Sequence, residues 1–131
     1  MRSLLLIATA AISLSACAST TRTGMVEQGY ERGALGVAAI ERGDWAAAEN
    51  AMMRMPGTIS ADDPARLINL GRVYMETGRE AAALTSWRLA LASNHHFEVE
   101  TGDGRVQSTK AIAEKLLAMH DTGVRSASLS N

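Results

Sequence analysis

The 131-residue sequence predicts an all-α fold of two helix–turn–helix units followed by a C-terminal capping helix. Three observations carry this reading. Apolar residues recur at helical spacing from about Val26 to Asn94, and again from Ser108 to about His120. Two turn segments, Gly43-Asp44-Trp45 and Gly78-Arg79-Glu80, each stand between periodic stretches, and their glycines are 35 residues apart, a period typical of stacked repeats. One of only two prolines, Pro64, falls where a helix begins, a position at which its missing N–H would have had no partner.

The second unit is the clearer one. Asp62 or Asp63 precedes Pro64 as N-cap, because a carboxylate there accepts from the unpaired N–H groups of the first turn. Leu67, Leu70, Gly71 and Tyr74 then share one helix face, and Gly78 ends the helix with a residue that tolerates positive φ. A second helix spans about Arg79 to Ser93, with Ala83, Leu84, Trp87, Ala90 and Leu91 on one stripe. Gly71 and Ala83 are small enough for the two helices to approach closely, while Tyr74 and Trp87 fill the space beside them.

These residues resemble the tetratricopeptide repeat. Leu67 takes its first large position, Leu70-Gly71-x-x-Tyr74 matches directly, Gly78 holds the turn, and Ala83 and Ala90 take the small positions. Trp87 replaces the usual Phe, and His95 stands where a proline would close the repeat. Thirty-five residues earlier, a degenerate copy has Leu35-Gly36, Ala39 for Tyr, Gly43, Ala48, Met52 for Phe, and Met55, with Arg32 departing at the first large position. The resemblance covers about residues 29–95. Met52 and Met55 share a stripe with Trp45 and Ala48 and read as core, whereas Met53 lies off it.

Beyond Asn94 the pattern changes. Phe97 to Thr101 alternates, Gly102-Asp103-Gly104 supplies turn chemistry, and Arg105-Val106-Gln107 alternates again, so a short β-hairpin is expected. Ser108 or Thr109 caps the last helix, whose apolar face is Ile112, Ala113, Leu116, Leu117 and Met119, and which covers the open end of the repeat stack.

The first residues read as an address. Arg2 precedes an apolar run from Leu4 to Leu14, which has the form of a signal peptide and is shorter than the ~20 residues of a membrane span. Leu14-Ser15-Ala16-Cys17 resembles the lipobox of bacterial lipoproteins in all four positions, and Cys17 is the one cysteine in the chain. The resemblance implies cleavage between Ala16 and Cys17 and a covalent acyl lipid on the Cys17 sulfur, with no other cofactor. Ala18, which is not acidic, implies by the same likeness an outer-membrane, periplasm-facing location rather than the inner membrane. The expected division is a leader at 1–16, the lipidated cysteine and a tether at 17–25, two repeats at 26–94, a loop or hairpin at 95–107, the capping helix at 108–122 and a disordered tail at 123–131.

Composition argues against two function classes. Thirteen Lys+Arg against fourteen Asp+Glu leave a formal charge of −1, without the basic excess that nucleic-acid backbones attract. No catalytic motif with a nucleophile, a zinc-binding His-Glu-x-x-His or a phosphate-binding glycine loop is present. His95 and His96 are adjacent, so their rings diverge and read as a loop pair rather than a metal site. Glu98 and Glu100 share one strand face and read as a solvated edge rather than a catalytic carboxylate pair. An enzyme is not expected.

The tetratricopeptide likeness implies a groove lined by the first helix of each unit: Val37, Ile40 and Glu41 from one, Ile68, Asn69, Arg72 and Met75 from the other. Its ligand would be an apolar segment of a periplasmic or envelope protein, as in assembly factors of pili, secretion systems or other envelope machinery. The alternative is a structural lipoprotein that self-associates through its open repeat edge.

Overall fold

A computed structural model describes residues 30, 33–54, 59–101 and 104–129. The leader, Cys17, the tether, Arg32, Met55 and Gly102-Asp103 lie outside them. The described chain is mostly helical: α1 (Val37–Glu41), α2 (Trp45–Met53), α3 (Pro64–Glu76), α4 (Glu80–Ala92), a hairpin of β1 (Glu98–Glu100) and β2 (Val106–Ser108), and α5 (Thr109–Leu129).

Two backbone bonds recur at equivalent positions of the two turns. After α1, the Asp44 N–H donates to the Ala39 carbonyl at 2.9 Å and the Gly43 N–H to Ile40 at 3.0 Å. After α3, the Arg79 N–H donates to Tyr74 at 2.8 Å and the Gly78 N–H to Met75 at 3.1 Å. Each set satisfies the last carbonyls of a helix through a residue in the left-handed region, here glycine at φ 72° and 75°. The following helices start differently. Asp44 caps α2 by accepting from the Ala47 N–H at 3.0 Å, whereas Arg79 makes no such cap on α4.

The first unit departs from its expected form. The helix sought from about Val26 is, in its described part, a turn at 33–35 and a five-residue α1, separated by Gly36 at φ 65°. A Cβ on Gly36 would sit 2.9 Å from the Ala48 carbonyl oxygen, so glycine there lets the chain lie directly on α2. The equivalent Gly71 stays helical, and its missing Cβ makes room for the Trp87 indole instead.

α3 is the central element. Pro64 opens it, and Asp63 caps it by accepting from the Arg66 N–H at 2.9 Å. Its residues 64–71 are all buried, including two polar ones, which is tolerable only because their donors are bonded. Asn69 Nδ2 donates to the Leu35 carbonyl at 3.2 Å, and Arg66 Nε donates to the Met52 carbonyl at 2.9 Å. One apolar cluster joins Leu35, Ile59, Leu67, Ile68, Ala90, Val99, Ile112 and Ala113; a second joins Ala39, Ile40, Ala48, Met52, Leu70 and Val73. Half-buried Val37 packs against both.

The hairpin pairs antiparallel, with Val99 opposite Gln107, and points Val99 inward while Glu98 and Glu100 face out. Ser108 Oγ accepts from the Ala111 N–H at 3.1 Å and so caps α5. This helix runs to Leu129, past the expected end near His120, and replaces the tail sought from residue 123. The serines at 126 and 128 suggest a frayed end, but no proline interrupts the helix, and single serines cost a helix only a few tenths of a kcal/mol.

The antiparallel run of α2, α3, α4 and α5 sorts the loops to two ends. At one end, Arg66 meets the close of α2, the Tyr30 hydroxyl donates to Asp63 at 2.8 Å, and the Thr109 N–H donates to Phe97 at 3.0 Å. At the other lie both glycine turns, with His120 Nε2 2.9 Å from Glu80 Oε1.

Candidate interaction surface

The seven groove residues separate into two classes. Ile68 and Asn69 are fully buried and Ile40 is 6% exposed, so these three are packing residues of the described fold rather than the lining of an open groove. Their helices turn them toward α4, the Leu35 backbone and α2. Val37 and Met75 are half-buried, while Glu41 and Arg72 are exposed. Arg72 holds Glu76 at 2.8 Å, one turn along α3. What remains accessible is a strip of mixed character along α1 and the outer side of α3.

Beside this strip, Arg79 joins the two units. Its guanidinium forks onto Glu49 of α2, with bonds of 2.9 and 2.6 Å, and lies 4.4 Å from the Tyr74 ring centroid. The bond from Arg79 holds the Glu49 carboxyl below its ordinary range. Sequence reading missed this bridge, because residues 30 positions apart carry no periodic signal.

The histidines serve the framework. His96 Nε2 lies 3.2 Å from the Leu91 carbonyl, which can only accept, so this nitrogen carries the proton; Nδ1 is 3.2 Å from Thr109 Oγ1. The ring thus ties the close of α4 to the start of α5. His95 is exposed and its N–H donates to Ser93 Oγ at 3.2 Å. His120 contacts Glu80 and, at 3.6 Å, Asp121. Among the described residues, no three His, Cys, Asp or Glu side chains converge as a metal site would require. None of the described helices is long and apolar enough to cross a membrane.

Two further residues escaped sequence reading. Arg66, 7% exposed, donates to the Met52 and Ala61 carbonyls at 2.9 and 3.1 Å and lies 3.7 Å from Met53 Sδ. It was legible only as a polar residue inside the run Ala65-Arg66-Leu67-Ile68. Tyr30 packs its ring 6.3 Å from Phe97. Burial, then the bond to Asp63 and its negative charge, pushes the Tyr30 phenol well above the ordinary tyrosine range.

An open cleft of about 230 Å³ lies where α3 begins and α4 ends, lined by Ala61, Asp62, Leu67, Leu89, Ala92, Ser93 and Asn94. The Ser60 hydroxyl donates to Asp62 and, more than any other contact, lowers the pKa of its carboxyl. No protein-family model, curated protein or solved structure matches this chain.

Proposed function

We propose that the protein is a lipid-anchored, periplasm-facing scaffold of the bacterial envelope, whose two tetratricopeptide-like units present a surface to another protein. The observation that carries the repeat reading is the pair of turn bonds that recurs 35 residues apart, at 39–44 and 74–79. A duplicated helical hairpin is an architecture for holding surfaces, and its first unit retains the turn while losing the regular first helix. The anchor rests on the Leu14-Ser15-Ala16-Cys17 pattern and the single cysteine.

The docking surface is the accessible part of the expected groove: Val37, Glu41, Arg72 and Met75. Arg72→Glu with Met75→Asp is expected to abolish capture of envelope proteins while leaving helicity unchanged. Retained capture by the folded double variant would refute the assignment. Cys17→Ser is expected to remove an acyl mass and release the protein from membranes. Size exclusion at several concentrations separates partner binding from self-association, since only the latter shifts without a partner.

A further inference from the structure

We propose that the Tyr30 end of the domain, with Leu89 and Met53 foremost, rests on the bilayer that holds the chain's own lipid anchor. The inference builds on the lipoprotein reading and adds an orientation and a contact surface to it. Twelve residues separate Cys17 from Tyr30, and the thirteen Cα-to-Cα steps reach at most about 47 Å when fully extended. The chain enters the described fold at one end, where Tyr30 is fastened to the cap of α3 through Asp63 and packs against Phe97.

That same end carries two of the four large apolar side chains more than half exposed among the described residues, Met53 (54%) and Leu89 (54%); Val106 (66%) stands on the hairpin opposite exposed Glu100, and Met119 lies toward the turns. Leu89 stands at the mouth of the cleft with Ala61 and Ala92, and Met53 reaches the same loop through Arg66, which bonds to Ala61. The charges there are mixed, exposed Asp62 and Glu98 against exposed Arg54, Arg88 and Lys110, so the contact relies on apolar side chains entering the headgroup boundary rather than on attraction to anionic lipid. A short tether raises the effective concentration of domain at the surface to the millimolar range, so a weak intrinsic contact is enough.

The test uses the full chain extracted from the envelope and reconstituted in vesicles of phosphatidylethanolamine and phosphatidylglycerol carrying a headgroup-level nitroxide quencher. An environment-sensitive dye is placed on Ala92→Cys, at the Tyr30 end, or on Arg42→Cys, about 20 Å away at the turn end given the length of a thirteen-residue helix. Quenching several-fold stronger at Ala92→Cys, removed by adding Leu89→Asp and Met53→Asp, is the expected result. Equal quenching at both sites overturns the proposal, and so does a difference that survives the two Asp substitutions, since the tether alone would then set the orientation. Equal quenching in vesicles with the Ala92 site shielded only in native envelopes would assign the face to a protein. If Cys17 itself takes the dye, its sulfur is not acylated and the lipoprotein reading falls first, a failure distinct from the others.

Discussion

Gly71 lies directly beneath the indole of Trp87: a Cβ on this glycine would come within 2.3 Å of Trp87 Nε1 and 2.5 Å of Cδ1. The indole N–H donates to the Ile68 carbonyl at 3.2 Å, so the ring is held by a bond as well as by shape. Trp87 is larger than the phenylalanine of the repeat pattern, and its extra ring is accommodated by the absent side chain one helix away. The close pairing of α3 and α4 therefore depends on one position having no side chain.

Gly71→Ala should consequently destabilise the fold. Alanine improves intrinsic helix propensity by about 1 kcal/mol, but overpacking against a bonded tryptophan costs about 1–3 kcal/mol and displaces the indole from Ile68. The expected outcome is a lower thermal midpoint together with a changed tryptophan fluorescence. Gly71→Ala in a Trp87→Phe background should recover part of the loss, and its failure to do so would remove Trp87 as the cause.

Arg66 offers a separate check on how α3 is seated. Its guanidinium reaches the Met52 carbonyl, one of the last of α2, which no helical N–H can satisfy. Arg66→Met keeps the aliphatic stem and leaves the Met52 and Ala61 carbonyls without this donor, at an expected cost of about 1–3 kcal/mol in urea unfolding. Hydrogen exchange should quicken in the last turn of α2 before it does in α4.

Much of this framework was legible in the sequence for local reasons. Pro64 after Asp63 marks a helix start, Gly43 and Gly78 mark stops, and the alternation around Val99 marks a strand, because each signal lies within a few residues of its effect. Tertiary relations were less visible. Gly36 looks the same whether it sits inside a helix, as Gly71 does, or interrupts one; its contact with Ala48 decides, and that contact is not written in the spacing. The groove assignment failed in part for a related reason. Ile68 and Asn69 sit on a central helix with neighbours on several sides, and the periodicity of a single helix does not say how many sides are covered.

The groove residues now predict opposite behaviours. Ile40→Asp places a charge among Ala39, Ala48, Met52 and Val73, and should cost more than about 3 kcal/mol, enough to unfold much of the protein at room temperature. Met75→Asp, on a half-buried position of the outer strip, should stay within about 1 kcal/mol of the parent in urea unfolding. Comparable losses for the two would mean that Met75 is packed like Ile40 and offers no surface to a partner.

The alkaline limit of stability should depend on Tyr30. Its phenol is held protonated in the folded protein by burial and by the bond to Asp63, whereas in the unfolded chain it ionises near pH 10. Above that pH the folded state binds the proton that the unfolded state has lost, so stability falls as pH rises. The contribution is fully present below about pH 10 and fades through the higher folded value. Tyr30→Phe keeps the ring against Phe97 but has no proton to lose. Its denaturation midpoint should therefore fall less steeply between about pH 9.5 and 11 than that of the parent. Since Tyr74 and the lysines remain in both proteins, the difference between the two curves isolates Tyr30; parallel curves would show that the Tyr30–Asp63 bond does not govern ionisation.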